Sequence, residues 1–218
     1  LISYGAKGLI VVIPCIVITI LLVQILRKSL KISEKLSLLI AVGTSICGAT
    51  AIVALAPSIK AKKSEITYAI ANITIFGLFA MFLYPIFAHF LFSQDIVSAG
   101  LFLGSSIHET AQVAGSAMIY SDQYEEPNII AVATVTKLIR NTLMVIVIPY
   151  LAHKSMSVQE KSYKISAIFP YFVIGFIVFG CIRSLGDFYF LDNEIHLATW
   201  NNLIVVIKKI AEFFLIIA

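Results

Sequence analysis

Two short polar stretches interrupt apolar segments that are long enough to enter a lipid bilayer. The first runs from Gly43 to Gly48, and the second runs from Gly104 to Glu109. The bilayer core holds no water to satisfy polar side chains or a broken backbone, so interruptions of this kind usually line a pathway for a solute. The pair therefore predicts a membrane protein whose working parts lie at two breaks in its helices.

The composition supports this interpretation. Of the 218 residues, 60% are hydrophobic and 13% are charged, whereas an average soluble domain carries roughly 25% charged residues. The net charge of +4 comes largely from Lys and Arg in short loops beside apolar runs, which indicates positive-inside topology and no nucleic-acid partner. No spacing of Cys and His predicts a metal site or a cofactor. We expect an all-α, polytopic membrane protein.

The charges of the loops predict how the chain crosses the bilayer. The basic loops, expected in the cytoplasm, are 27–35, 57–65 and 153–164, and the acidic loops, expected outside, are 121–127 and 184–196. The interrupted segments 36–56 and 96–120 then each begin and end on one side. We expect re-entrant hairpins that enter from opposite faces, as an inverted repeat would produce. Discontinuous helices that cross the bilayer are the alternative.

Apolar runs long enough to span make up most of the remaining chain. The predicted spanning segments are 8–26, 66–92, 128–151, 165–182 and, as the start of a last helix, 202–218. The chain has no initial Met and stops inside an apolar run. We therefore expect one transmembrane transporter core over 1–218 that belongs to a longer protein.

The two interruptions are similar to each other. Aligning Gly43 with Gly104 pairs a Ser with a Ser two positions later and an Ile with an Ile three positions later. Small residues follow in both segments, and close helix packing is enough to explain them. Packing does not explain His108, Glu109 and Gln112, which lie within five residues of one another. The second interruption is therefore predicted to have a function beyond packing.

A broken helix exposes N–H groups at the start of its second half, where the helix dipole favours an anion. Ser and Thr hydroxyls beside each break, including that of Thr110, would add donors. Two such N-termini near the bilayer centre would cradle a small oxyanion. The candidate substrate-binding residues are Gly43, Thr44, Ser45 and Thr50 at the first break, Ser105, Ser106, His108 and Gln112 at the second, and Lys137 and Arg140.

Lys137 and Arg140 strengthen the anion hypothesis. They are three residues apart, so they share one face of a helix, and they lie near the centre of an apolar segment where an unpaired charge is costly. We expect Glu109 to pair with one cation and a bound anion with the other. On this basis Arg140→Ala should abolish stabilisation by anions and leave the fold largely intact. The alternatives are a purely structural ion pair, or a later helix start that puts both cations nearer the inner surface.

His108 and Glu109 are the candidates for proton coupling. The imidazole has an ordinary pKa near 6.5 and could exchange a proton with a neighbouring carboxylate. A histidine inside a membrane is also commonly a hydrogen-bond donor between helices, which is the alternative role for His108.

Several functional classes are compatible with these residues, and enzymes are the least supported. The chain contains no Gly-x-Ser-x-Gly, His-Glu-x-x-His or Walker motif. The sequence His108-Glu109-x-x-Gln112 ends in Gln, a poor zinc ligand. We therefore expect no enzymatic activity. An anion-conducting channel and a membrane scaffold without transport are the alternatives to a transporter.

Three motifs together resemble a bacterial family of conserved integral membrane proteins designated sulfate exporters. They are Gly43–Gly48 with the small residues up to Pro57, Ile107–Val113, and Lys137–Arg140, in that order. The likeness covers most of residues 1–183. That family is similar to the superfamily of cation–proton antiporters and anion transporters, whose members use paired broken helices and a mobile core domain. The superfamily's two-carboxylate cation site has no counterpart here.

The residues and the resemblance together predict a secondary active transporter. It would move a small sulfate-like or sulfonate-like anion by alternating access across the bacterial cytoplasmic membrane. Its partners would be that anion and the lipid bilayer, and a homodimer is one arrangement open to it.

Overall fold

The computed structural model describes residues 2–92, 95–155, 171–190 and 194–217, and every regular element in these ranges is an α-helix. The helices are α1 (Ile2–Leu30), α2 (Glu34–Ser45), α3 (Ala49–Leu55), α4 (Lys63–Phe92), α5 (Ile96–Ser106), α6 (Thr110–Tyr124), α7 (Asn128–Thr142), α8 (Met144–Ser155), α9 (Tyr171–Tyr189) and α10 (Glu194–Ile217). Three stretches are long and apolar enough to cross a membrane: Lys7–Leu30, Lys63–Phe92 and Asn128–Ser155. The prediction of an all-α, polytopic membrane protein is confirmed.

The contacts divide the chain into two compact units, Leu1–Pro170 and Tyr171–Ala218. The first unit contains both predicted interruptions and both central cations, so it contains the whole candidate site. The prediction of one transporter core over 1–218 stays a prediction.

The first interrupted segment is a hairpin made by α2 and α3. It starts beside Lys35, whose Nζ donates a hydrogen bond to the carbonyl of Lys60 at 2.7 Å. The Ser33 hydroxyl, which also caps the N-terminus of α2, donates to the Glu65 carboxylate at the start of α4. The chain therefore enters at α2, turns, and returns through α3 to the end of the molecule where it began.

The second hairpin, made by α5 and α6, lies at the opposite end of α4. Phe102 of α5 packs against Tyr84, with ring centroids 5.4 Å apart. Gln112 early in α6 reaches the carbonyl of Thr74, and Tyr124 at the end of α6 stacks on the His89 ring at 3.7 Å. Helix α6 thus runs back along α4 toward the end from which α5 departed.

The two segments therefore have the geometry of the hairpin alternative, one entering from each end of α4. The predicted range 36–56 corresponds to α2 and α3, and 96–120 corresponds to α5 and most of α6. Asp95 fixes the start of α5, because its carboxylate accepts hydrogen bonds from the N–H groups of Val97 and Ser98. Bonds from Ser98 also lower the pKa of Asp95. The side of the membrane to which each loop belongs stays a prediction.

Helix α7 packs along α5 through two glycines spaced four residues apart. A Cβ on Gly100 would lie 2.7 Å from Val132 Cβ, and a Cβ on Gly104 would lie 2.5 Å from the Ala133 carbonyl oxygen. Small residues at this spacing allow helix backbones to approach closely. The predicted span 128–151 lies within the apolar stretch Asn128–Ser155, in which the chain forms two successive helices, α7 and α8, that are separated at Leu143.

The second unit contains α9 and α10. The predicted acidic loop at 184–196 is wrong, because α9 continues to Tyr189. Within this unit Asp187 accepts hydrogen bonds of 2.8 Å from both Arg183, one turn earlier, and the Trp200 indole. With these two donors, the Asp187 carboxylate is accommodated within a helix. Helix α10 begins at Glu194, eight residues before the predicted start. Residues 156–164 of the predicted basic loop and 165–170 of the predicted span lie outside the described residues.

Candidate functional site

The two helix breaks lie against each other. The first break separates Ser45 from Ala49, and the second separates Ser106 from Thr110. At the first, Gly48 adopts φ 70° and ψ −128°, a conformation that only glycine adopts readily. A Cβ at this position would lie 2.6 Å from Cγ of Glu109 in the second break. The missing side chain therefore lets the hairpins meet.

Lys137 ties the two breaks together. The side chain is fully buried, and its Nζ donates hydrogen bonds to the carbonyls of Ile46 at 2.9 Å and Ile107 at 3.0 Å. A third bond goes to the carbonyl of His108. The ammonium group has three N–H donors, so all three are used. One carbonyl belongs to the first hairpin and two belong to the second.

Arg140 makes a parallel set of bonds one turn further along α7. Its Nε donates to the Ser45 carbonyl at 2.7 Å, and a second nitrogen donates to the carbonyls of Ser105 at 2.7 Å and Ile107 at 3.2 Å. The remaining nitrogen donates to the Thr44 carbonyl. The guanidinium thus also spans both hairpins, although only 3% of the residue is exposed.

These carbonyls belong to the ends of α2 and α5 and the turns that follow, where the last C=O groups have no partner inside the helix and carry partial negative charge. Lys137 and Arg140 neutralise both ends at once. The predicted ion pair with Glu109 is wrong, because the bonds of both cations in the described chain go to the backbone. The requirement for partners was predicted correctly, but the partners were not.

The hydroxyls of Ser45 in α2 and Ser105 in α5 are predicted to face an anion, but both donate to the backbone of their own helix. Ser45 donates to the carbonyl of Val42, and Ser105 donates to that of Phe102, each three residues back in its own helix. These hydroxyls are turned toward backbone, so both serines contribute to the site through their carbonyls. Thr44 likewise contributes a carbonyl, and Ser106 is half-buried beside the second break.

Gly43 and Gln112 serve the packing of the hairpins onto α4. A Cβ on Gly43 would lie 2.1 Å from Ile73. The amide of Gln112 donates to the Thr74 carbonyl at 3.3 Å, and a Cβ on Gly77 would lie 2.0 Å from its Oε1. Gln112 therefore contacts α4 through its amide nitrogen, and its predicted contact with substrate stays a prediction.

The start of α6 carries an accessible polar side chain, that of Thr110. Thr110 is exposed and its hydroxyl accepts a 3.2 Å bond from the Asn141 amide. The residue at the N-cap, Glu109, makes no side-chain capping bond to this helix. Among the described residues, His108 Nδ1 and Asn141 Oδ1 are buried without a hydrogen-bond partner. At the start of α3, Thr50 is exposed. Asn141 was not predicted, although it lies one turn beyond Lys137 and so shares its face of α7.

Gly48→Ala should destabilise the protein by about 2 kcal/mol, because the new side chain is strained at this φ and also displaces Glu109. We expect a lower melting temperature in detergent. Ala54→Gly, inside α3 at a partly buried position, is the control, and it should cost about 1 kcal/mol, chiefly from helix propensity. Equal losses in the two variants would contradict a special backbone requirement at residue 48.

The fold and the site define a polytopic membrane protein in which two helical hairpins are joined by buried cations. The chain belongs to the family described as Conserved hypothetical protein 698, whose model matches residues 1–218. The relatives support a conserved membrane family, which confirms the coarser part of the predicted resemblance.

Three relatives are named UPF0324 membrane proteins. That of Streptococcus agalactiae serotype V is 33% identical over 184 residues, covering 83% of this chain and 54% of the relative. That of Fusobacterium nucleatum is 30% identical, covering 100% and 64%, and that of Bordetella bronchiseptica is 31% identical, covering 84% and 57%. The chain thus spans between half and two-thirds of their length. No solved structure matches it.

Proposed function

We propose that this chain forms the core of a secondary transporter for a small anion of the sulfate or sulfonate type. The observation that carries the proposal is the uncapped N-terminus of α6 beside two buried cations. Helix ends of this kind bind anions through N–H groups that point outward from the first turn.

The balance of charge at the breaks favours an anion. Lys137 and Arg140 carry two positive charges, and each helix end is equivalent to about half a charge. The C-terminal ends of α2 and α5 therefore offset about one positive charge, and the N-terminal ends of α3 and α6 restore about one. Glu109 is the acidic side chain at the breaks. The centre is left with about one positive charge, which is costly inside a bilayer until an anion arrives.

The donors at the start of α6 supply the specific contacts. Asn141 donates to the Thr110 oxygen at 3.2 Å, which leaves the Thr110 hydroxyl proton free to point to a solute. Thr110 is exposed, so a solute can reach it. Lys137 and Arg140 act here by holding both hairpins and by their charge, since their N–H groups are engaged with carbonyls.

Transport would proceed by alternating access, because the two hairpins enter from opposite ends of α4 and meet at one site. A solute held there would lie between the two hairpins, and a shift of the hairpins against their surroundings would open one side at a time. Glu109 and His108 are proposed to carry a coupled proton. The location that fits this role is the bacterial cytoplasmic membrane.

Sulfate and methanesulfonate should raise the melting temperature of the full-length protein in detergent, and Thr110→Val should weaken that effect. Loss of one hydrogen bond to a charged ligand is expected to raise the apparent Kd about ten-fold. Thr67→Val is the matched control, because Thr67 is exposed on α4 away from the breaks. Uptake of labelled sulfate into proteoliposomes should saturate and fall in the same variant.

Three other results would contradict the proposed site or the proposed function. Equal sulfate affinity in the Thr110 and Thr67 variants would remove the N-terminus of α6 as the binding site. Flux that does not saturate would identify an anion-conducting channel. Sulfate binding without flux in the full-length protein would identify a scaffold or receptor.

A further inference from the structure

A cavity lies in the first unit and shares no lining residue with the helix breaks. It has a volume of about 360 Å³ and is formed where α1, α2 and α8 meet. Its walls are apolar near Val17, Leu21 and Leu38, whereas Gln24 and Lys154 are polar groups of its lining. The cavity is therefore amphipathic, with a hydrocarbon part and a polar part.

The polar part lies at the ends of the three helices. Lys154 and Ser155 are in the last turn of α8, and Glu34 is the first residue of α2. Along α1 the lining runs from Val17 to Gln24, which is about 10 Å of helix. The cavity thus extends from the helix ends toward the middle of the membrane span, as the upper part of one lipid acyl chain does.

The charges in the chain segments beside the cavity, where α1 ends, α2 begins and α8 ends, favour an anionic occupant. Glu34 is paired with Arg27 at 3.2 Å, so its charge is offset. Residues 27–35 and 153–155 carry five cationic side chains and one carboxylate, an excess of four positive charges: Arg27, Lys28, Lys31, Lys35 and Lys154 against Glu34. Basic pockets between transmembrane helices bind the phosphate groups of acidic lipids.

We infer that this cavity binds an anionic phospholipid of the bilayer. One acyl chain lies between Leu21 and Leu38, and the phosphate accepts a hydrogen bond from Lys154. This inference is independent of the proposed transport function, because the cavity shares no residue with the helix breaks.

The test uses the full-length protein in detergent with phosphatidylglycerol or phosphatidylcholine added. Phosphatidylglycerol should raise the melting temperature more than phosphatidylcholine does, and native mass spectrometry should retain one bound molecule. Lys154→Gln should weaken this binding about five-fold, the effect of one charge near a lipid headgroup. Lys28→Gln is the control, because it removes the same charge at the same end but does not line the cavity. It should change binding less than two-fold.

A photoreactive residue in place of Leu21 then identifies the occupant. Leu21 is 56% exposed, so the replacement should not disturb the fold. A cross-link to phospholipid supports the inference. A cross-link to a peptide of the same protein shows that another segment fills the cavity and overturns it. Equal weakening by the Lys154 and Lys28 variants would also overturn it, because binding would then follow surface charge alone.

Discussion

Arg140→Ala is expected to lower the free energy of unfolding by about 4 kcal/mol. Four carbonyls from two hairpins lose a bond from the guanidinium, although that of Ile107 keeps its bond from Lys137. A buried polar group without its partner costs about 1–3 kcal/mol. For a chain of this size the melting temperature should fall by roughly 10 °C. Thermal unfolding in detergent, followed by circular dichroism, measures the change.

Two further variants identify the cause of this loss of stability. Arg140→Lys should recover only part of the loss, because an ammonium group has three donors and no planar fork that reaches both hairpins. Arg27→Ala removes an arginine from a partly exposed ion pair with Glu34, so it should cost less than about 1 kcal/mol. If Arg140→Ala melts like the unaltered protein but no longer responds to sulfate, the guanidinium binds the anion directly, as the sequence predicted.

The sequence was sufficient to predict that the breaks and the central cations belong to one site. Polar residues inside apolar segments have few tolerable environments in a bilayer, so the breaks were expected to face each other and the cations to have partners. Residue identity could not reveal that those partners are carbonyls, because every residue has one. Ile46 and Ile107, which accept bonds from Lys137, appear in the sequence as ordinary apolar residues.

The charges of the loops predict one part of the topology correctly and another part incorrectly. The basic residues Lys35 and Lys60 do come together, as expected for loops at one end of α4. The acidic stretch around Asp187 is predicted to be a loop, yet α9 continues through it to Tyr189, and the carboxylate accepts bonds from Arg183 and Trp200. Charge indicates a loop only when the side chain has no partner nearby, and the partner at residue 200 lies thirteen positions away.

Gly104→Ala is expected to be among the most damaging substitutions of a small residue in the first unit. The added Cβ would lie 2.5 Å from the Ala133 carbonyl oxygen and 2.7 Å from Thr136 Cβ. A backbone oxygen inside a helix cannot rotate away, so α5 and α7 must separate. Overpacking of this kind costs typically about 1–3 kcal/mol, and we expect the upper end of that range in thermal unfolding.

The position of Gly104 adds a consequence for the site. Gly104 directly precedes Ser105, whose carbonyl accepts a bond from Arg140, so a shift of α5 away from α7 also lengthens that bond. Gly180→Ala is the matched control, because a Cβ there meets nothing within 4 Å, and Ala is favoured over Gly inside a helix by about 1 kcal/mol. It should leave the melting temperature unchanged or raise it. Sulfate binding that survives Gly104→Ala despite a lower melting temperature would mean that the anion does not depend on the contact between α5 and α7.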